Sequence, residues 1–238
     1  MIKFKEVSKY YKEGIGVKKV SLDIMPGEVV GIIGKNGSGK TTLLKAAANL
    51  ISLDEGIVLV DGTFVANKIY EKLSYISEEG SFFPNLTPKE HEAFFLGTYK
   101  NFDRVRFNKL LEHFELPTNK KLSSFSRGQK SKFEVICGFC KGAKYILMDE
   151  PFLGTDIATR SDFLKLMIGN MKEDDIIIIG TNFIEEIENF ISRAILLEKG
   201  CIKEIVDMEK LNGSVMSFSD KVKKVLNYNE RGILNIID

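Results

Sequence analysis

The chain has 238 residues, of which 44% are hydrophobic and 28% charged, the balance of a globular protein with one substantial core. Its formal net charge is only +1, which gives no sign of the basic surface that binds nucleic acid, so we expect no nucleic-acid partner. No apolar run approaches the roughly 20 residues of a membrane-spanning helix, and charge interrupts the N-terminus, unlike a signal peptide. These features predict a soluble intracellular protein, and work at a membrane would require a separate spanning partner.

The first predicted elements are strands. Apolar and polar residues alternate over residues 2–7 and 18–24, and residues 29–33 form a continuous apolar run that is typical of a buried strand. Residues 43–48 are typical of a helix. The segment between this strand and this helix matches G-x-x-x-x-G-K-[ST], the phosphate-binding loop, and its residues are Gly34, Lys35, Asn36, Gly37, Ser38, Gly39, Lys40, Thr41 and Thr42.

The phosphate-binding loop predicts a specific chemistry. Its glycines let successive backbone N–H groups face one phosphate, and the following helix adds the positive end of its dipole. Lys40 would reach the β- and γ-phosphates of a nucleotide, and the Thr41 hydroxyl would ligate Mg²⁺. Because strand, loop, helix and both side chains are all present, a chance glycine-rich turn is the weaker interpretation.

The middle of the chain is predicted to be helical. Thr87 is an N-cap, Pro88 takes the first helical position and Glu90 completes a capping box. A second amphipathic helix fits residues 103–115. Residues 84–122 therefore form a helical insertion between two α/β parts of the chain.

Histidine and cysteine offer weaker signals. Cys137 and Cys140 have the C-x-x-C spacing of redox and metal sites. They fall on one apolar face of a predicted helix, and no second Cys or His pair completes a zinc site, so we expect them to pack in the core. His91 and His113 lie in the helical insertion, away from the phosphate motif, and we expect both to be solvated.

Further apolar runs predict strands at residues 57–60, 73–77, 145–148, 176–179 and 194–197, followed by a mixed tail over residues 200–238. Asp149 and Glu150 come directly after one of these strands, where side chains at the carboxyl end of a parallel strand face a ligand crevice. Asp149 would hold Mg²⁺, directly or through water, and Glu150 would orient or deprotonate the attacking water. Taken alone, such a pair is also explained by helix capping.

The segment Phe125-Ser126-Arg127-Gly128-Gln129 resembles L-S-G-G-Q, with Phe for Leu and Arg127 for the first Gly. This segment lies between the phosphate-binding loop and the two carboxylates in the sequence. With that order of motifs, the chain resembles the nucleotide-binding subunit of an ABC transporter along nearly its whole length. The resemblance implies that Ser126, Gly128 and Gln129 contact the γ-phosphate of ATP held by a facing subunit. The alternative is that Ser126 is an ordinary helix N-cap.

Four more positions acquire roles from this resemblance. Tyr11 matches the aromatic that stacks on adenine, although neighbouring Tyr10 could take that role. Asp156 matches the loop at the subunit interface, with a helix N-cap as the alternative. Glu78 falls where the family usually has glutamine, and Asn182 where it usually has the switch histidine.

These last two are departures from the family pattern. An ionised Glu78 accepts hydrogen bonds but cannot donate one, although it could bind Mg²⁺ or its waters. The stretch of residues 75–87 around it resembles the ABC-2 exporter branch. Asn182 keeps a hydrogen-bond donor but never carries the charge of a protonated histidine, so we expect hydrolysis to be roughly tenfold slower than with histidine.

The predicted fold is α/β: a P-loop NTPase (RecA-like) with a mostly parallel sheet, an antiparallel β subdomain and a short helical insertion. We expect residues 1–238 to form a single ABC ATPase domain. Within it, residues 1–83 and 123–238 would form the catalytic core with the β subdomain, and residues 84–122 the helical subdomain.

The predicted function is an ATP-binding and ATP-hydrolysing motor subunit of an ABC transporter, and the ABC-2 resemblance favours an exporter. It would drive a separate transmembrane permease, dimerise with itself or with another cassette, and lie on the cytoplasmic face of the cell membrane. Phe82, Phe83 and Leu86 are expected to be partly exposed for docking, with subdomain core as the alternative. Other functional possibilities are a soluble single-cassette ATPase, for example in cluster assembly, and a weakly hydrolysing, nucleotide-gated regulatory cassette.

Overall fold

Two β-sheets organise the chain. This computed structural model describes residues 1–12, 14–64, 67–77, 80, 82–152, 154–212 and 216–227. The strands are β1 Ile2–Tyr11, β2 Gly14–Ile24, β3 Val29–Ile33, β4 Glu55–Val60, β5 Thr63–Phe64, β6 Leu73–Ile76, β7 Tyr145–Asp149, β8 Ile176–Thr181, β9 Arg193–Glu198 and β10 Cys201–Asp207. The α-helices are α1 Lys40–Ala47, α2 Pro88–Thr98, α3 Arg104–His113, α4 Arg127–Cys140, α5 Ile157–Gly169, α6 Ile184–Ile187, α7 Met208–Asn212 and α8 Phe218–Val225. Short 3₁₀ turns lie at Asn67–Glu71 and Leu122–Ser124.

The larger sheet has six strands in the order β10-β9-β3-β8-β7-β6, and all its pairs are parallel except β10 with β9. The smaller sheet is antiparallel, in the order β2-β1-β4-β5. This arrangement confirms the predicted α/β fold with a mostly parallel sheet and an antiparallel β part. The placement of β3, β8 and β7 side by side brings the carboxyl ends of these strands to one edge of the sheet.

Both faces of the six-stranded sheet are buried, which explains why its strands are continuous apolar runs rather than alternating ones. Ile177 and Ile179 face a core that includes residues of α3, α4, α5 and α8. Ile176 and Ile178, their neighbours in β8, face a second core shared with α1 and the antiparallel sheet. A single sheet therefore supports the helical part on one side and the phosphate-binding helix on the other.

The helical middle of the chain begins as predicted. Thr87 accepts a hydrogen bond from the Glu90 backbone, and the Glu90 carboxylate accepts from the Thr87 backbone, so the capping box of α2 is complete. The second helix, α3, starts after Asp103, which caps it. Both helices lie within residues 84–122, and the division of the chain into subdomains remains a prediction.

One histidine prediction is wrong. His113 is exposed, as expected, but His91 is fully buried. Its Nε2 accepts a hydrogen bond from the Phe83 backbone at 3.0 Å, and its Nδ1 lies 2.9 Å from the carbonyl oxygen of Thr87. Because one ring nitrogen must accept and the other donate, this network assigns a neutral ring to His91. The aromatic ring of Phe133, whose centroid is 5.2 Å away, completes a setting that helix periodicity alone does not reveal.

The cysteines pack as predicted. Cys140 is fully buried and Cys137 half-buried on α4, and both are free thiols. Burial raises the pKa of each thiol, which disfavours the thiolate that redox or metal chemistry requires. Elsewhere, β1 extends through Tyr10 and Tyr11, and the predicted mixed tail contains β10, α7 and α8.

Candidate functional site

The phosphate-binding loop has room only for glycine at two of its positions. A Cβ on Gly39, whose φ is +107°, would lie 2.2 Å from the carbonyl oxygen of Gly16. A Cβ on Gly34 would lie 2.3 Å from the carbonyl oxygen of Leu197 and 2.4 Å from Ser38 Oγ. The loop therefore closes tightly between β3 and α1, and a curl of this kind lets successive backbone N–H groups face a phosphate.

Lys40 is buried inside this loop with 6% of its surface exposed. Its ammonium donates a hydrogen bond to the carbonyl oxygen of Gly34 at 2.8 Å and lies 3.3 Å from Glu150 Oε1. The ammonium is thus held at the first helical position of α1 by two kinds of contact, one with the carbonyl oxygens of Gly34 and Lys35 and one with a carboxylate. Both contacts are of a kind that a more highly charged triphosphate can replace.

A cleft of about 430 Å³ lies in front of the loop, and its lining residues are Tyr11, Gly16, Asn36, Gly37, Ser38, Gly39, Lys40, Thr41, Thr42 and Glu150. Tyr11 stands at its rim with 46% of its surface exposed, directly over Gly16, where a Cβ would lie 2.6 Å from the Tyr11 ring. Tyr10 does not line the cleft, and its backbone N–H is bonded to Asp54. The geometry favours Tyr11 over Tyr10 as the group that meets a base.

Lys35, a further residue of the predicted loop, directs its side chain elsewhere: its ammonium lies 3.4 Å from the carbonyl oxygen of Asn227.

Asp149 ends β7 as a buried carboxylate with one satisfied oxygen. Tyr75 donates to Oδ2 at 3.1 Å, whereas the buried Oδ1 has no hydrogen-bond partner. Burial raises the pKa of Asp149, and the Thr41 and Tyr75 hydroxyls and the Lys40 ammonium act in the opposite direction. A buried, unsatisfied carboxylate oxygen beside a threonine hydroxyl is a suitable oxygen donor set for Mg²⁺, which is commonly held by few protein ligands.

Glu150 stands at the turn after β7 with its backbone in the left-handed region, at φ 44°. Its backbone N–H donates to the carbonyl oxygen of Gly180 at 2.8 Å, which ties the turn to β8. Oε2 of its carboxylate accepts a hydrogen bond from the Thr181 hydroxyl at 3.0 Å, and Oε1 faces the Lys40 ammonium. With 16% of its side chain exposed, the carboxylate lies at the edge of the cleft and can reach a water molecule there.

Asn182 follows β8 at the same edge of the sheet. In the register of β7 and β8, Asp149 pairs with Gly180, so the predicted neighbourhood of Asn182 and the two carboxylates is confirmed. The Asn182 side-chain Oδ1 is buried and has no hydrogen-bond partner. Ser38 Oγ in the loop is likewise buried and unpaired, so unsatisfied polar atoms concentrate around the cleft.

The remaining predicted site residues lie away from this cleft, which none of them lines. Ser126 and Gln129 form a reciprocal capping box at the start of α4. A Cβ on Gly128 would lie 2.8 Å from the carbonyl oxygen of Gly154, in the loop before Asp156. Asp156 caps α5, and hydrogen bonds from Thr159 lower the pKa of Asp156 to about 2.

Glu78 lies outside the described residues, so its predicted catalytic and metal-binding role remains a prediction. The sequence interpretation missed three contributors that the structure brings to the site: Gly16, Tyr75 and Thr181. Thr181 could have been suspected, because it is the polar residue at the end of a buried apolar strand. Gly16 and Tyr75 come from separate strands, and no local signal connects them with the loop.

The described residues contain neither a ready-made metal cluster nor a membrane-spanning helix. Within the described ranges, no group of three or more His, Cys, Asp or Glu side chains is arranged to hold a metal ion by itself. A Mg²⁺ ion here would consequently depend on few protein ligands together with phosphate and water. None of the helices in the described part of the chain has the length and apolar character to cross a membrane.

The fold and the cleft define a P-loop nucleoside triphosphatase: parallel strands deliver a glycine loop with a buried lysine, an acidic pair and a polar strand end to one edge. The ABC transporter family matches residues 17–153, more than half of the chain. The chain therefore belongs to that family, as an ATP-binding cassette that hydrolyses ATP.

Individual relatives agree with this assignment. The chain is 33% identical over 214 residues to the ABC transporter ATP-binding protein YtrB of Bacillus subtilis (strain 168), with 89% of this chain and 73% of the relative covered. It is 30% identical over 247 residues to the methionine import ATP-binding protein MetN of Clostridium acetobutylicum, covering 98% of this chain and 76% of MetN. A dimeric, post-hydrolysis structure of the cassette MJ0796 bound to ADP and Pi is similar with a TM-score of 0.76 and 27% identity, over 87% of this chain and 99% of that one.

Proposed function

We propose that this cassette is the ATP-driven motor of an ABC exporter whose membrane-spanning permease is a separate subunit. It works as a dimer, with a second cassette that is either another copy of this chain or a different one. The observation that carries the proposal is the division of its site between a complete phosphate cleft and a group of signature residues outside that cleft. Such a division supports a second cassette that completes the site, and ABC ATP-binding subunits in general work with transmembrane permease subunits.

The dimer is supported by the positions of Ser126, Gly128, Gln129 and Asp156. All of them stand at or beside the starts of α4 and α5, where backbone N–H groups suit an anion, and none of them lines the cleft of its own chain. In the proposed dimer they meet the γ-phosphate of ATP bound to the facing cassette. The dimeric form of the similar cassette MJ0796 supports this arrangement.

Mg²⁺ is the proposed cofactor, with Thr41 and Asp149 as its protein ligands. The unpaired Asp149 Oδ1 fits this role, because a buried carboxylate oxygen without a partner is costly unless a cation or water meets it. When bound, Mg²⁺ neutralises charge on the phosphates. Glu78 is a further candidate for the ion or its waters.

Hydrolysis is proposed to rest on Glu150, which accepts a proton from the attacking water. Asn182 supplies an amide that donates to the γ-phosphate or holds the water, and it cannot add the positive charge of a protonated histidine. The rate is therefore expected to be slow. This same substitution, together with Arg127 in the signature segment, favours a nucleotide-gated cassette that barely hydrolyses as the second candidate function.

The permease partner is proposed to dock in an aromatic groove of about 280 Å³ next to α2 and α4. Its lining residues are Ser74, Tyr75, Phe82, Phe83, His91, Phe94, Phe95, Tyr99, Glu134, Cys137, Gly138 and Lys141. Phe83 and Phe94 stack edge to face with ring centroids 5.2 Å apart, and 48% of Phe83 is exposed. Exposed aromatic residues in a concave surface are a common feature of interfaces.

Lys141 gives this groove a chemical preference. Its ammonium donates to the carbonyl oxygen of Leu73 at 2.8 Å and lies 4.5 Å from the centroid of the Tyr99 ring. Burial lowers the pKa of Lys141 to about 8. We propose that the docking permease segment presents a carboxylate to the Lys141 ammonium between apolar side chains.

The direction of transport rests on the resemblance of residues 75–87 to the ABC-2 exporter branch. Family membership alone leaves it open, because the name of the relative MetN specifies methionine import. Docking to a permease would place the cassette at the cytoplasmic face of the membrane. A soluble single-cassette ATPase would have the same cleft but would need no membrane partner.

The experiment first searches the neighbouring genes for a six-span membrane protein, then co-expresses that protein with the cassette and purifies the complex in detergent. Phe83→Ser and Lys141→Gln should each reduce the amount of cassette recovered with the permease, while melting temperatures of the isolated cassette stay within about 2 °C of the parent. Phe64→Ser is the matched control, since Phe64 is an exposed aromatic on the antiparallel sheet. Recovery of the groove variants equal to the parent would contradict the docking proposal, and Phe83→Ser melting several degrees lower would assign Phe83 to the core.

A further inference from the structure

We propose that Thr181 is a positioning residue for hydrolysis, which holds Glu150 in place at the moment when Lys40 leaves it for the phosphates. Thr181 ends β8 and is buried, with 4% of its surface exposed. The inference rests on the proposed role of Glu150 as the group that accepts the proton of the attacking water. It assigns to Thr181 a role distinct from that of its neighbour Asn182.

The direction of the hydrogen bonds around Thr181 is determined by its neighbours. The Phe183 backbone N–H donates to Thr181 Oγ1 at 3.1 Å, so that oxygen already acts as an acceptor. The hydroxyl proton is then free to be donated, and the Glu150 Oε2 acceptor lies 3.0 Å away. Thr181 therefore joins the backbone after Asn182 to the Glu150 carboxylate through a two-step chain of hydrogen bonds.

The two contacts of the Glu150 carboxylate have different fates when ATP binds. Lys40, 3.3 Å from Oε1, is the cation that the triphosphate attracts, so this contact weakens as the lysine engages phosphate. The Thr181 contact involves no group that binds phosphate, and it persists. Among the described side chains, Thr181 is thus the one that still holds the Glu150 carboxylate after Lys40 has bound the phosphates.

The same geometry distinguishes the two carboxylate oxygens. Oε2 is occupied by the Thr181 hydroxyl, whereas Oε1 faces the cleft and is released by Lys40. In the reaction, the water oxygen bonds to the γ-phosphorus, the bond from that phosphorus to the bridging oxygen breaks, and ADP leaves. The water proton passes to Glu150 Oε1. The Thr181 hydrogen bond to Oε2 keeps Oε1 oriented toward the water. Proton transfer requires this fixed orientation of the accepting oxygen.

The test compares Thr181→Val, which keeps the shape but removes the hydroxyl, with Thr181→Ser, which keeps the hydroxyl. Single-turnover hydrolysis, with the cassette in excess of ATP and concentrated enough to bind all of it, is measured together with ATP affinity. Thr181→Val should lower the rate about tenfold with affinity within about twofold of the parent, and Thr181→Ser should stay within about threefold of the parental rate. Thr63→Val is the matched control, since the Thr63 hydroxyl donates to a carbonyl oxygen in the antiparallel sheet.

A double variant separates positioning of Glu150 from a general structural effect. In a Glu150→Gln background, adding Thr181→Val should change the residual rate by less than about twofold, because the group that it positions has already been disabled. An equal tenfold loss in both backgrounds, a parental rate for Thr181→Val, or equal losses for the Val and Ser variants would each overturn the inference. A parental rate for Glu150→Gln itself would instead refute the proposed role of Glu150.

Discussion

The Lys40 ammonium and the Glu150 carboxylate lie 3.3 Å apart, and this pair joins the phosphate-binding loop to the end of β7. Each group partly satisfies the charge of the other in a setting where solvent is largely excluded. We expect a bound triphosphate to replace this pair with a stronger one between Lys40 and phosphate. Substrate binding would then release the carboxylate for its proposed role toward water.

Lys40→Ala should abolish ATP binding, because the ammonium is the cation buried in the loop that receives the triphosphate. We expect affinity to fall by about a hundredfold or more in a calorimetric titration with ATP and Mg²⁺. Lys165→Ala is the control, since Lys165 is an exposed lysine on α5. A Lys40→Ala titration that matches the parent would refute the assignment of the loop.

Asn182→His should raise the steady-state rate of phosphate release by roughly tenfold, because histidine adds a better-placed donor that can also carry charge. Asn182→Ala should lower the rate below the parent with ATP affinity nearly unchanged, since the contact matters most as charge moves in the transition state. The measurement uses saturating ATP, so that differences in phosphate release do not reflect differences in ATP affinity. Identical rates for the parent and Asn182→Ala would show that this side chain takes no part in the reaction.

His91 predicts a pH dependence of stability. Burial lowers the pKa of His91, which the Thr87 backbone and Glu90 oppose in part. The unfolded chain, with the ordinary pKa near 6.5, binds the proton first as pH falls, so the folded state loses stability below about pH 6.5. Protonation at Nε2 would also remove the acceptor of the Phe83 N–H.

Melting temperatures between pH 7 and pH 5 measure this effect. The fall should be smaller in His91→Gln than in the parent, because glutamine does not titrate in this range. His113→Gln is the matched control, since His113 is exposed and should leave the pH dependence unchanged. The explanation fails if His91→Gln and the parent lose the same number of degrees.

The sequence predicted those features whose signal is local. The motif from Gly34 to Thr42, the capping box of Thr87 and Glu90 and the carboxylates after β7 are each contained in a few neighbouring residues. The site contacts that were missed depend on strand order instead. Thr181 meets Glu150 because β8 lies beside β7, and no pattern within either strand states that adjacency.

The error at His91 has the same origin. An isolated α2 would leave this residue on a surface, and the periodicity of the segment is consistent with that expectation. Phe83 from the preceding loop and Phe133 from α4 cover the ring in the folded chain. The residues that cover His91 are distant from it in the sequence or lie outside its helix. The helix pattern therefore does not reveal its burial, which tertiary contacts decide.

Dimerisation driven by ATP follows from the position of the signature residues outside the cleft. Glu150→Gln should accumulate the ATP-bound dimer, because the variant keeps Lys40 and the loop but cannot accept the proton of the attacking water. Mg²⁺ is included because Asp149 Oδ1 lacks another partner. Combining Glu150→Gln with Lys40→Ala provides the control, since a cassette that does not bind ATP has no nucleotide to sandwich.

Light scattering of Glu150→Gln, with and without ATP and Mg²⁺, tests the shared site most directly. We predict a mass of 26.8 kDa without nucleotide and twice that mass with it, while the double variant with Lys40→Ala stays at the monomer mass in both conditions. A monomer that persists at saturating ATP, with nucleotide bound, would contradict a site completed by a second copy of this chain and would favour a different cassette as the partner.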